Sequence, residues 1–244
     1  MNKLKKFVFV FFAIVLLAGC DAKGSNSSQT KEITDEVILG IIRNNISSLD
    51  NIPKTIELYT NGYGKASDYT NDEKLLHGLD VALTSRASSE LTAEQLQTIK
   101  EKNLLNITSV VSVEEAQGYV SNLFGPTTLK HANVVGCPSY IYDEAEKLYY
   151  VQDGCTKEVT SSPISFVDRV TNKDNIYYAT VYVGLIDGNK VYGDFSKSKV
   201  VKELDINELY EITNDNKEEF GKYTYTFTKN SNGSYIFTEL KKVS

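Results

Sequence analysis

Lys222-Tyr-Thr-Tyr-Thr-Phe-Thr-Lys229, then Asn232-Gly233, then Ser234-Tyr-Ile-Phe-Thr-Glu-Leu-Lys241, is the stretch on which the reading of the fold turns. Aromatic residues alternate with threonines, the period of a strand with one buried face. Asn-Gly between two such runs is a strong hairpin signal, because both residues tolerate positive φ. A turn there sets Thr228 opposite Phe237 and Tyr225 opposite Leu240. It places Tyr223, Tyr225, Phe227, Ile236 and Leu240 on the buried face, and Thr224, Thr226 and Thr228 toward solvent.

The same period extends upstream. Ile164–Thr171 and Ile176–Ile186 flank Asn172-Lys173-Asp174-Asn175, and Asp187-Gly188-Asn189 is a tight turn before Lys190–Phe195. Tyr177, Ala179, Val181, Val183 and Leu185 line one face of the middle strand, and Tyr178, Thr180 and Tyr182 the other. Earlier still, Tyr140-Ile-Tyr142 and Leu148-Tyr-Tyr-Val151 read as a hairpin around Asp143–Lys147. A three-residue loop sets Tyr142 opposite Tyr150 and Cys137 opposite Cys155. Opposed Cβ atoms lie about 4.5–5.5 Å apart, close to disulfide geometry, so Cys137 and Cys155 are expected to pair.

Before residue 112 the period is 3.6. Ile33 to Ile46 predicts a helix over 33–48, and 49–69 reads as a long connection with an extended piece near Thr55–Tyr59. Three helix starts follow at Thr70-Asn-Asp-Glu73, Thr92-Ala-Glu-Gln95 and Ser112-Val-Glu-Glu115, each a Ser or Thr with an acid or amide three residues on. The second should bury Leu96 and Ile99. Gly125-Pro126 stops the third. Asp205-Ile-Asn-Glu208 predicts a short helix to about Thr213. The expected class is α+β, with N-terminal helices packed on a curved antiparallel sheet built from about three hairpins. Residues 33–111 form a helical region, and 112–244 a helix plus the sheet, with the two parts able to share one domain.

Residues 1–19 differ from the rest. Lys3, Lys5 and Lys6 precede the apolar run Phe7–Leu17, which is too short to span a bilayer and reads as a secretory signal. Leu17-Ala-Gly-Cys20 resembles the lipobox of bacterial lipoproteins. That resemblance implies removal of residues 1–19 and a diacylglyceryl thioether on Cys20, with palmitate-type chains holding the protein on the outer face of the cell membrane. Residues 20–32, polar and Ser-rich after Cys20, then form a lipidated flexible tether. The layout of elements over about 112–242, with its Tyr-x-Tyr-x-Phe…Asn-Gly-x-Tyr-x-Phe close, resembles NTF2-like and cystatin-like domains, in which helices lie in the concave side of a bent sheet. The additional helices before Ser112 and the segment 196–221 depart from that pattern.

The formal charge is −6, and loss of the three leading lysines takes it to −9. An acidic chain of this kind is a poor nucleic-acid partner, and the bilayer must be held through the lipid on Cys20. No catalytic motif is present, and no cofactor or metal is expected. His77 and His131 are the only histidines, and nothing has metal-ligand spacing. Ser196-Lys-Ser-Lys199 matches S-x-x-K without its companion motifs and reads as a solvated loop. Sixteen tyrosines and no tryptophan are the remaining bias. In the hollow of a bent sheet, Tyr140, Tyr142, Tyr178 and Tyr182 are the candidates to bind a ligand. The leading expectation is a non-enzymatic envelope lipoprotein that binds a peptide, glycan or envelope protein. The alternatives are an envelope hydrolase or isomerase, for which the NTF2-like resemblance implies an Asp and a His, here Asp168 and His131, and a structural interaction module.

Overall fold

The computed structural model describes residues 30–85, 91–154, 161–206 and 208–243. Among these residues, five α-helices and two antiparallel sheets make an α+β fold. β1 (Lys31–Glu32) leads into α1 (Glu36–Asp50), where the Asp35 side chain accepts from the Val37 and Ile38 amides. α2 (Pro53–Asn61) replaces the connection expected over 49–69. Pro53 at the first turn and Gly62 at φ 69° bracket it, the usual Pro-start and Gly-stop of a helix. The helix buries Leu58 and Tyr59 instead of leaving them on an extended piece. β2 (Tyr63–Lys65) follows directly.

α3 (Asn71–Ser85), α4 (Ala93–Glu101) and α5 (Val113–Phe124) start where their caps predict. Reciprocal capping boxes join Thr92 to Gln95 and Ser112 to Glu115. Burial on α4 does not follow its pattern. Leu96 is 44 % exposed and Ile99 only half-buried, because this short helix lies at the rim of the core. A strand not foreseen, β3 (Ile107–Ser112), precedes α5 and buries Val110 and Val111.

β4 (Ser139–Asp143) and β5 (Leu148–Gln152) pair with β3 in the order β3-β5-β4, a sheet separate from the large one. Their register is one residue from that expected: Tyr142 faces Tyr149, and Asp143 faces Leu148. The loop holds four residues rather than three. The Asp143 carboxylate accepts from the Ala145 and Glu146 amides, and Lys147 turns the chain at φ 54°.

The large sheet holds β6 (Ser161–Lys173), β7 (Ile176–Asp187), β8 (Lys190–Tyr192), β9 (Val200–Glu203), β10 (Gly221–Lys229) and β11 (Tyr235–Lys242) with β1 and β2. Its order is β1-β6-β7-β10-β11-β2, with β8 on β7 and β9 on β8. It is thus eight strands rather than about three hairpins. In the closing hairpin Tyr225 faces Leu240 as expected, but Thr228 faces Ile236. A bulge at Thr238 causes the slip, its hydroxyl donating to the Thr226 carbonyl at 2.9 Å. Tyr235 and Phe237 therefore take the buried face, and Ile236 leaves it. No helix forms over 205–213 among the described residues. Side chains there satisfy the backbone locally, Glu208 accepting from the Asp205 amide and Asn216 from the Thr213 amide.

One apolar core joins α1, α2, α3 and α5 to the inner face of the large sheet and to β3–β5. The outer face carries a smaller cluster, Tyr182, Val191, Ile212 and Phe220, under the segment 204–220. The tightest helix contact is α3 on α5. A Cβ on Gly78 would lie 2.5 Å from the Ala116 carbonyl oxygen and 2.7 Å from a Val120 methyl. Gly78→Ala should therefore destabilise the fold by about 2 kcal/mol, the overpacking strain exceeding the gain in helix propensity. Gly118→Ala on α5, with nothing within 4 Å of the new Cβ, should stabilise by up to about 1 kcal/mol. Urea unfolding of both variants checks the contrast, and equal signs for the two would contradict this packing.

Candidate functional site

A cleft of about 830 Å³ opens between α1 and the segment 210–214, with Pro163–Asp168 of β6 as its floor. Arg43, Asn44, Ser47 and Asp50, one face of α1, form the first wall. Tyr210, Glu211 and Ile212 form the second. The volume suits a small ligand or a short chain segment, and the lining is mostly polar. Arg43 is turned to Glu36 at 3.3 Å, and Asp168 to Lys217.

Asp50 links the cleft to the core. The residue is half-buried, and its Oδ1 accepts from the Tyr59 hydroxyl at 2.5 Å and lies 3.4 Å from that of Tyr225. The two phenol oxygens are themselves hydrogen-bonded. Each hydroxyl has one proton, so the chain runs from Tyr225 to Tyr59 to Asp50. Tyr223 donates to the Tyr59 carbonyl at 2.9 Å, and Phe195 stacks on the Tyr59 ring at 4.6 Å. Burial pushes the Asp50 carboxyl up to about 6, against the opposing effect of hydrogen bonds from Tyr59, Ser165 and Tyr225. Burial, with the nearby carboxylate, pushes both phenols well up. The cleft thus holds a carboxyl that changes charge near neutrality, backed by two neutral phenols.

The four tyrosines expected to share a hollow do not meet. Tyr140 and Tyr142 lie on the three-stranded sheet, whereas Tyr178 and Tyr182 lie on β7 in the large one. Tyr140 is buried and donates to Asp80 at 2.5 Å. Tyr142 packs beside Tyr149 at 5.1 Å and His131 at 5.7 Å. Tyr182 is buried in the outer cluster, donating to Glu218 at 2.7 Å, and Tyr178 is half-buried. The cause is the extra sheet, which takes the first hairpin out of the large one.

Asp168 and His131 are also apart. Asp168 is the bulged residue of β6 at the cleft rim. His131 lies against the small sheet, its Nδ1 2.8 Å from the Tyr149 hydroxyl. At the S-x-x-K match, Ser196 and Ser198 donate to Asp194, and Lys199 Nζ donates to the Glu219 carbonyl at 3.2 Å. Burial raises the Asp194 carboxyl, but those donors outweigh it and hold it at about 2. The motif is a capped loop. His77 is buried on the inner face of α3, and burial pushes its imidazole down to about 4. Cys20 and Cys155 lie outside the described residues. No group of metal-ligating side chains occurs among the described residues.

Sequence reasoning missed Asp50 and Tyr59. The bracket of Pro53 and Gly62 was the available signal, because a helix there turns Thr55 and Tyr59 to one side. No family model matches this chain, nor does a curated protein or a solved structure.

A raised carboxyl contributes stability that is fully present below its unfolded value of 3.8 and is lost as pH rises through about 6. Relative to Asp50→Asn, the wild-type protein should lose about 3 kcal/mol between about pH 3.5 and pH 8. Burial of His77 runs the other way, its contribution being lost as pH falls from 6.5 through about 4. Asp50→Asn should therefore leave a steeper acid limb than the wild type shows. Denaturant unfolding across this range checks both signs, and parallel pH profiles for the two proteins would contradict the burial of Asp50.

Proposed function

We propose that the protein is a lipid-anchored envelope protein that binds a peptide or glycan in the α1–β6 cleft. The observation that carries the anchoring is Leu17-Ala-Gly-Cys20 after a basic, apolar leader. No helix among the described residues, which begin at Thr30, is long and apolar enough to cross a membrane. The polar lining of the cleft favours a hydrogen-bonding ligand over an acyl chain. The NTF2-like resemblance enters this reading only as an expected concave site beside a bent sheet. Cells grown with an alkyne analogue of palmitate should label the wild-type chain and not Cys20→Ser. Equal labelling of both, or an unprocessed chain in the cytoplasm, would remove the anchoring.

A second reading is an envelope hydrolase or isomerase. It is favoured by one observation, a carboxyl held at about 6 in an open cleft beside two phenols. Asp50, rather than Asp168 with His131, would then hold the mobile proton. Asp50→Asn abolishing turnover of a bound glycan while leaving its binding intact is the result this reading requires.

For an exported protein, pairing of Cys137 with Cys155 also follows from this proposal. Ser139 faces Gln152, one residue out of the register that would set position 137 opposite position 155, so the pairing rests on export and on nearness in sequence to this hairpin rather than on direct opposition. Alkylation of the unfolded, unreduced protein should find neither thiol. Modification of both would show the pair reduced.

A further inference from the structure

The floor of the cleft is an open sheet edge. β1 pairs with β6 only at Thr171 and Asn172, with one further bond from the Ile33 amide to the Val170 carbonyl at 2.9 Å. Among the described residues no strand lies beside Pro163–Asp168 on that side.

The register says which groups the edge presents. Lys173 and Ile176 close a two-residue turn and form a hydrogen-bonded pair. Every second residue of β7 from Ile176 therefore bonds to β6, which includes Tyr182 opposite Phe166 and Gly184 opposite Ile164. Ser165 and Val167 occupy the intervening positions and turn their N–H and C=O groups outward. Pro163 turns out a carbonyl alone.

Walls stand on both sides of this edge. The Ser165 side chain faces Asp50 on the α1 side. Ile164 and Phe166 point to the opposite face, where they pack with Tyr210 and Ile212. The cleft is thus a slot in the plane of the sheet, polar along α1 and partly apolar along 210–214.

We propose that this slot takes an extended, basic segment of a partner polypeptide as an added strand on β6. The proposal rests on the cleft being a binding site, and names what fills it. Backbone pairing follows from the outward amides and carbonyls, the recognised mode of strand addition. Basic character follows from Asp50 and Glu211 on facing walls and from the chain's net charge of −6. β1 is antiparallel to β6 and already holds its Thr171–Asn172 end, the end remote from Pro163. A second copy is disfavoured because its own β6 edge lies between the same two walls, which would meet these.

The test uses the detergent-solubilised full chain and a fluorescent nonapeptide alternating Lys with Val. Two controls are the peptide with Glu in place of Lys, and the Lys peptide N-methylated at alternate backbone nitrogens. The Lys peptide should bind, and both controls at least about tenfold more weakly. Amide exchange should slow at Ser165 and Val167 and stay unchanged at Ile164 and Phe166, which are already bonded to β7. Equal binding of the N-methylated peptide, or no alternate-residue protection, would overturn strand addition. Binding of a wall oligosaccharide in the cleft with no peptide binding would also overturn it, while leaving the broader binding function standing.

Discussion

A buried phenol must find a partner for its hydroxyl, and this core places three of them together. Tyr59 comes from α2, and Tyr223 and Tyr225 from β10. Each ring supplies a large apolar surface to the seam between helices and sheet. Each hydroxyl left unpaired there would cost about 1–3 kcal/mol. The Tyr59 carbonyl takes Tyr223, Tyr225 meets Tyr59, and Tyr59 donates to Asp50. The chain of donors has to end on an acceptor, and Asp50 at the last turn of α1 supplies it. That requirement fixes how α1 and α2 sit over the strands, and it draws a carboxyl inward to the base of the cleft.

The cleft is a consequence of where the chain leaves the sheet. β1 is two residues long because Asp35 starts a helix three residues after it ends. β6 is thirteen residues long, so most of its outer edge has no neighbouring strand among the described residues. α1 covers that edge from the inner face, and 204–220 covers it from the outer one. Pro163, which lacks an N–H, and the bulge at Asp168 bracket the uncovered part. Such devices limit indiscriminate pairing at an edge, and here they leave a stretch of a few residues between them.

How much of this was legible in the sequence depended on whether the determining interaction was local. The capping boxes at Thr92 and Ser112, the Asp187-Gly188 turn and the period-two run of β7 are local, and each stands where its residues predict. The α+β class follows from them. The register of β4 and β5 is set by Asp143 folding over its own turn, and that of the last hairpin by a bulge at Thr238. Neither leaves a mark in the alternation of apolar residues. α4 shows the limit of periodicity, because an apolar face on a short helix does not say whether anything covers it. Tyr140, Tyr142, Tyr178 and Tyr182 were expected to line one hollow because all four were assigned to a single bent sheet. Which sheet a hairpin joins is a long-range matter, decided here by β3, whose run Ile107–Ser112 is too short to announce itself. Asp50 was invisible for the same reason: its partners lie 9 and 175 positions away.

β1 pairs with the same strand that floors the cleft, which constrains the proposed anchoring. β1 meets β6 at Asn172, and the cleft floor is centred near Ser165. Seven residues of strand separate them, about 24 Å at the rise of an antiparallel strand. The ten residues from Asp21 to Thr30 span at most about 36 Å when extended. If Cys20 is in the bilayer, as proposed, the slot would lie within a few tens of ångströms of the lipid surface. An extended segment of a neighbouring membrane-bound protein would then be within its reach. Under the proposed anchoring, the open edge would be presented within reach of the membrane rather than free in solution.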